Sequence, residues 1–252
     1  MLPNSLSNIF ALFILSLMFF LMFFSAVGDS ATMDELAHIP AGYSYLAFKD
    51  YRLNPEHPPL IKDLSAIPLQ FLNLKFPTDS PAWRDYINGQ WDAGRIFLYE
   101  SGNNADQIIF WARLPVMLLT IFFGWFFFKT IRGLYENKVG FLALFLFATS
   151  PTLIAHGRYV TTDVGAAFGF FFALMMFYKF LEKDNIKSLV IAGLSLGVVL
   201  LLKFSLFLLI PLFIIFGFFW IFLQHLEHIR AFDSPETKIM SLAKEEGKMI
   251  MN

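Results

Sequence analysis

Acidic, basic and imidazole side chains cluster in one stretch of this chain: Asp34-Glu35, His38, Glu56-His57 and Lys62-Asp63 lie within about thirty residues. Four further charges interrupt or border strongly apolar runs: Arg113, Arg158, Asp163 and Lys203. Carboxylates in such company can take a proton from an attacking hydroxyl. Basic side chains can hold a phosphate. Together they suit transfer of a group from an anionic, lipid-anchored donor to a water-borne acceptor.

Each residue also has a plainer reading. Thr32-Met33-Asp34-Glu35 fits a capping box in which Glu35 reaches back to the Thr32 amide, and this would leave Asp34 free. Asp163 suits the N-terminus of a helix. Arg113, close to a span end, could extend toward the interface as long basic side chains do. Lys203 resists this explanation because it sits mid-run, and ionisable groups at such depth are functional candidates by default.

The elements that carry these residues follow from composition. Of 252 residues, 57% are hydrophobic, 33 are Phe and 15% are charged, well below the roughly 25% charge of soluble domains. With a mean hydropathy of +0.59, lipid must solvate much of the chain. A net charge of −1 offers no field for nucleic acid. The absence of Cys excludes disulfides, thiolate metal sites and a Cys nucleophile.

An all-α membrane protein with about six spans is expected, each needing about 20 apolar residues. They are 10–27, 108–128, 139–155, 164–180, and a long run over 189–223 that divides at Lys203. The first lacks a basic leader and a cleavage site, so it reads as a retained span. Lys129, Arg132, Lys138, Lys179, Lys183, Lys187 and Arg230 fall in one set of alternate loops, which should be cytoplasmic. The 28–107 loop is then extracytoplasmic, and Arg113, Arg158, Asp163 and Lys203 share its side. Within it, Leu36, Ile39, Tyr43 and Leu46 mark one amphipathic helix and Leu60 to Phe71 another, both expected in the interface plane. The expected division is a membrane module over 1–225 and a charged cytoplasmic tail over 226–252.

Asp34-Glu35, the run from His38 to Leu46, and Glu56-His57-Pro58-Pro59-Leu60-Ile61-Lys62 resemble the first loop of the GT-C membrane glycosyltransferases. Among these the chain is most similar to the protein O-mannosyltransferase and aminoarabinose-transferase-like enzymes. Arg158 to Asp163 and Lys203-Phe204-Ser205 resemble two further landmarks in the same order, so the likeness spans Asp34 to Pro211.

The resemblance implies an inverting, polyprenyl-phosphate-dependent transfer of a sugar to an acceptor on protein, lipid or glycan. Asp34 would be the general base with Glu35 beside it. His57, Lys62, Arg158, Lys203 and Arg113 would serve the lipid phosphate, and Asp163 would orient the acceptor or a divalent cation. No other cofactor and no nucleic acid is implied. Such enzymes run to about twice this length, so the chain resembles an N-terminal half. The alternative expectation is a non-catalytic subunit that binds the carrier lipid and needs a partner chain. An ion transporter fits poorly, because no internal repeat is visible and Asp163 lies at a boundary.

Overall fold

The computed structural model describes residues 4–183 and 185–232, and all regular structure among them is helical. Four helices are long and apolar enough to cross a membrane: α1 (Asn4–Ala26), α6 (Ala105–Leu134), α9 (Asp163–Lys183) and α11 (Leu209–Phe232). Between α1 and α6 lie α2 (Met33–Phe48), α3 (Leu60–Ala66), α4 (Pro81–Arg84) and α5 (Gln90–Arg95). Between α6 and α9 come α7 (Asn137–Ala148) and α8 (Pro151–His156), and α10 (Ile186–Leu200) precedes α11.

Two of the six expected spans are shorter than the pattern suggests. The apolar run at 139–155 divides because Pro151 disfavours helix at the residue before it. Ser150 is accordingly extended (φ −66°, ψ 117°), and its hydroxyl caps Leu153 at the start of α8. The 12 residues of α7 therefore rise only about 18 Å. The 15 residues of α10 rise about 22 Å, short of a bilayer core of about 30 Å. Lys203, in extended backbone (φ −156°, ψ 140°), separates α10 from the 3₁₀ turn Phe204–Leu208 that leads into α11. The charged tail expected from 226 begins inside α11, and residues 233–252 lie outside those described.

The long loop folds as a cap with its own core. Every residue of α2 from Glu35 to Tyr45 except Leu36 is buried, where an amphipathic pattern implies a polar back. Small residues allow this enclosure. A Cβ at Gly42 would overlap the Lys62 carbonyl of α3, and one at Gly94 would overlap the Leu36 carbonyl of α2. The second expected loop helix ends early, because Pro68 converts its last turn to a 3₁₀ segment, Pro68–Phe71.

The cap is fused to one end of the bundle. A single buried cluster joins Ile39, Ile61, Leu69 and Phe97 of the loop to Ile109 and Ala112 of α6, Val160, and Leu202. The amide of Leu60 donates to the carbonyl of Leu201 at 3.1 Å, tying the Pro58-Pro59 turn to the α10–α11 link. A second core, of Met18, Met22, Met117, Phe123, Phe147 and Phe168, fills the bundle between α1, α6, α7 and α9. Lys129, Arg132, Lys179 and Lys183 fall in the far halves of α6 and α9, at the opposite end from the cap.

Because α5 approaches α2 with no room for a side chain, Gly94→Ala should lower stability by about 1–3 kcal/mol through overpacking. Gly193→Ala, where nothing lies within 4 Å, should be neutral or better in the same thermal-unfolding measurement.

Candidate active site

The two adjacent carboxylates of α2 have different environments. Glu35 is fully buried and Asp34 is exposed. One oxygen of Glu35 accepts from the Thr32 amide (2.8 Å) and hydroxyl (3.1 Å), which is the reach-back half of a capping box. The same carboxylate forms a bidentate pair with Arg113 of α6, both bonds at 2.8 Å, and accepts the Val160 amide at 3.0 Å. Asp34 has no hydrogen-bond or ion-pair partner among the described residues. One helical turn therefore carries a committed carboxylate and an open one.

Arg113 neither reaches toward the interface nor offers a donor to a ligand. It has no exposed surface. Besides Glu35, its guanidinium donates to the carbonyls of Ala26 (3.4 Å), Asp29 (3.2 Å) and Ser30 (2.8 Å), which together with the pair engages all five of its N–H groups. Lys62 is equally closed. Its ammonium donates to the Tyr45 hydroxyl (2.8 Å), the Asn54 carbonyl (2.7 Å) and side chain (3.0 Å), and the His57 carbonyl (2.7 Å). Burial pushes its pKa down to about 8, against the raising effect of Glu56 and Asp63. Lys62 holds the Asn54–His57 turn, and Asn54 adopts the left-handed conformation (φ 51°) that this turn needs.

His57 and His38 stack edge to face with centroids 5.3 Å apart. Burial, then Lys62 and Lys203, lower the His57 pKa, while Glu56 and Asp34 oppose this. His57 is thus close enough to sense both Asp34 and Lys203. Its Nδ1 is buried without a partner among the described residues. Lys203 reaches Asp163, the first residue of α9, at 2.7 Å. On the other carboxylate oxygen of Asp163 stands His156 Nδ1, at 3.8 Å. Both partners of the Lys203–Asp163 pair remain partly exposed. No group of three His, Asp or Glu able to hold a metal occurs among the described residues.

Arg158 lies at the rim. It donates to Asp29 at 2.5 Å, to the Ser25 carbonyl at 2.6 Å and to the Tyr159 hydroxyl at 2.5 Å. Burial would raise the Asp29 pKa, but the bond and charge of Arg158, with Arg113 and Tyr159 behind, hold it below the usual carboxylate range.

Lys203 and Asp163 are thus paired, His57 lies on His38 one turn from Asp34, Arg158 sits at the rim, and Arg113, Glu35 and Lys62 form the frame. Two histidines join the cluster without being singled out as site residues by sequence. His38 lies one turn beyond Asp34 on α2, and its position four residues on was the available signal. His156 precedes the Arg158–Asp163 motif, and its relation to Asp163 arises only from the turn between α8 and α9.

A groove of about 340 Å³ adjoins this cluster, lined by Tyr45, Tyr51, Pro58, Leu201, Phe204 and Phe207 with His57 at its edge. A larger cleft of about 850 Å³ lies between the far end of α9 and α11, remote from the charges.

Removing one partner of a buried ion pair leaves the other uncompensated, so Arg113→Leu should cost about 3–5 kcal/mol of stability. Asp29→Asn, at a partly exposed pair, should cost less, about 1 kcal/mol. Chemical denaturation of the detergent-solubilised variants checks both.

No curated protein and no solved structure matches the chain significantly. A family model described as dolichyl-phosphate-mannose-protein mannosyltransferase matches residues 102–236, more than half of the chain. The matched span begins after the cap and takes in Arg113, the His156–Asp163 segment and Lys203. With an all-helical, membrane-spanning fold and this match, the chain belongs to the dolichyl-phosphate-mannose-protein mannosyltransferase family.

Proposed function

We propose that the chain is a glycosyltransferase that moves a sugar, mannose by family analogy, from a polyprenyl-phosphate donor to an acceptor hydroxyl, with inversion and with Asp34 as general base. The observation that carries this reading is the open carboxylate of Asp34 beside a buried, fully committed Glu35, one turn from His38, whose ring packs on His57.

In this mechanism the acceptor oxygen attacks the anomeric carbon as the bond from that carbon to the phosphate oxygen breaks. Phosphate leaves with the bonding electrons on the lipid, and the hydroxyl proton passes to Asp34. An exposed carboxylate is a weak base, so catalysis relies on positioning the reactants. The developing charge on the leaving phosphate needs cationic donors. Lys203 would supply that charge and His57 a neutral N–H, with Arg158 at the rim, whereas Arg113 and Lys62 would have to abandon buried partners first. The apolar groove beside His57 suits the first isoprene units of the carrier. Asp163, already fixed by Lys203, is left to orient the acceptor. Protein is the acceptor class that the family description suggests.

The cap faces the extracytoplasmic side in this proposal, since the basic loop residues gather at the other end. Ile87 is fully exposed at the tip of the cap, so a cysteine there should react with an impermeant maleimide from outside intact cells. Labelling only after the cytoplasmic face is opened would reverse the orientation.

A second reading, in which the chain binds the carrier and needs a partner chain, draws support from α11. It is the least buried of the four long helices, and Ile214, Phe218 and Ile221 are about two-thirds exposed there, beside the wide α9–α11 cleft. Turnover by the purified chain in liposomes would dismiss it.

For the general base, Asp34→Asn should slow mannose transfer from polyprenyl-phosphate-mannose by about 10²–10⁴-fold, the usual contribution of such a group. Equal turnover by wild type and mutant would remove Asp34 from the mechanism.

A further inference from the structure

Val160 lies in the short irregular link between α8 and α9, fully buried, and both polar groups of its backbone are taken by side chains of α2. Its amide donates to Glu35 at 3.0 Å. Its carbonyl lies 2.7 Å from His38 Nδ1. A carbonyl only accepts, so His38 carries its proton on Nδ1. Glu35 and His38 stand three residues apart, one turn of the same helix, and so grip the Val160 residue from above and below. On the α8 side of Val160 the link is held by Arg158, which bonds Ser25 and Asp29, and by Thr120, which donates to the Gly157 carbonyl at 3.1 Å. Within it the Thr161 amide returns to the Tyr159 carbonyl at 2.8 Å, and Gly157 closes α8. His156 stands four residues before Val160 and Asp163 three residues after it.

We infer that His38 is a positioning residue: through its bond to the Val160 carbonyl it sets the link, and with it His156 and Asp163, in register with Asp34 on the adjacent turn of α2. This rests on the glycosyltransferase reading above. A histidine that only satisfied a buried carbonyl could sit on any element packed against the link. Here the clamp and the open carboxylate share one rigid turn, and the two acidic residues of the site come from elements 129 residues apart in sequence. Direct packing between α2 and α9 is slight, so the Val160 grip is the main polar connection between them.

The test uses the full chain in liposomes with polyprenyl-phosphate-mannose and a peptide acceptor, and compares wild type, His38→Ala and His38→Asn. The Asn amide places a donor near the position of Nδ1 but does not titrate. His38→Ala should lower kcat by on the order of tenfold or more with little change in donor KM, the scale of one lost buried hydrogen bond. His38→Asn should recover most of the loss. Hydrogen exchange of the Tyr159–Asp163 amides should speed up on the order of tenfold in His38→Ala, because the link opens locally, and return toward wild type in His38→Asn. Wild-type kcat in His38→Ala, unchanged exchange, or an Asn variant no better than Ala would each overturn the inference. If wild type itself transfers no sugar, the function reading fails, while the exchange data still decide whether His38 clamps the link.

Discussion

A carboxylate and a guanidinium, both without solvent, join the cap of this protein to its membrane helices. Glu35 and Arg113 meet through two bonds, and each has further partners that use up its remaining capacity. Isolated, either charge would be costly to bury. Paired, and bonded to Thr32, Val160, Ala26, Asp29 and Ser30, they are satisfied only when the end of α1, the start of α2, α6 and the α8–α9 link take up one arrangement. A single ion pair thus ties four chain segments, where apolar packing alone would tolerate sliding.

The open groups of the site depend on this frame. Asp34 is exposed because its neighbour is turned inward, and the two cannot face the same way on one helix. Lys62 repeats the logic on the other side, where its bonds to Asn54 and His57 lock the turn between them and so present the His57 ring to His38 and to the groove. Cationic side chains here divide into those that build and those that remain accessible. Lys203 and Arg158 are partly exposed, and their partners, Asp163 and Asp29, are carboxylates that a substrate could compete with or use.

Phe-rich packing inside the bundle supplies a firm support for this arrangement. Phe123 of α6 meets Phe147 of α7 edge to face and Phe168 and Phe171 of α9 at tilted angles. In lipid the driving force for such contact is close packing rather than removal from water. Large apolar side chains face outward on α1 and α11 alike, and α11 is the least buried of the four long helices.

By itself the sequence determined the helical class, the membrane setting, the existence of a large structured loop and the concentration of charge at one end. All of these follow from composition, apolar run length and the distribution of Lys and Arg, which are local properties. It also made Asp34 separable from Glu35, since a capping box commits only the latter. Tertiary structure alone decided what each cation does. Arg113 and Lys62 read as phosphate ligands in a linear chain, and their complete burial depends on carbonyls contributed from Ala26 to His57. The same holds for the split at Ser150-Pro151 and for the enclosure of α2. The histidines illustrate the limit best: His38 and His156 acquire partners 122 and 7 residues away, and the more distant contact exists only because the cap docks on the bundle. Burial and long-range pairing are properties of the folded chain, so spacing could bring these residues to notice but could not divide frame from site.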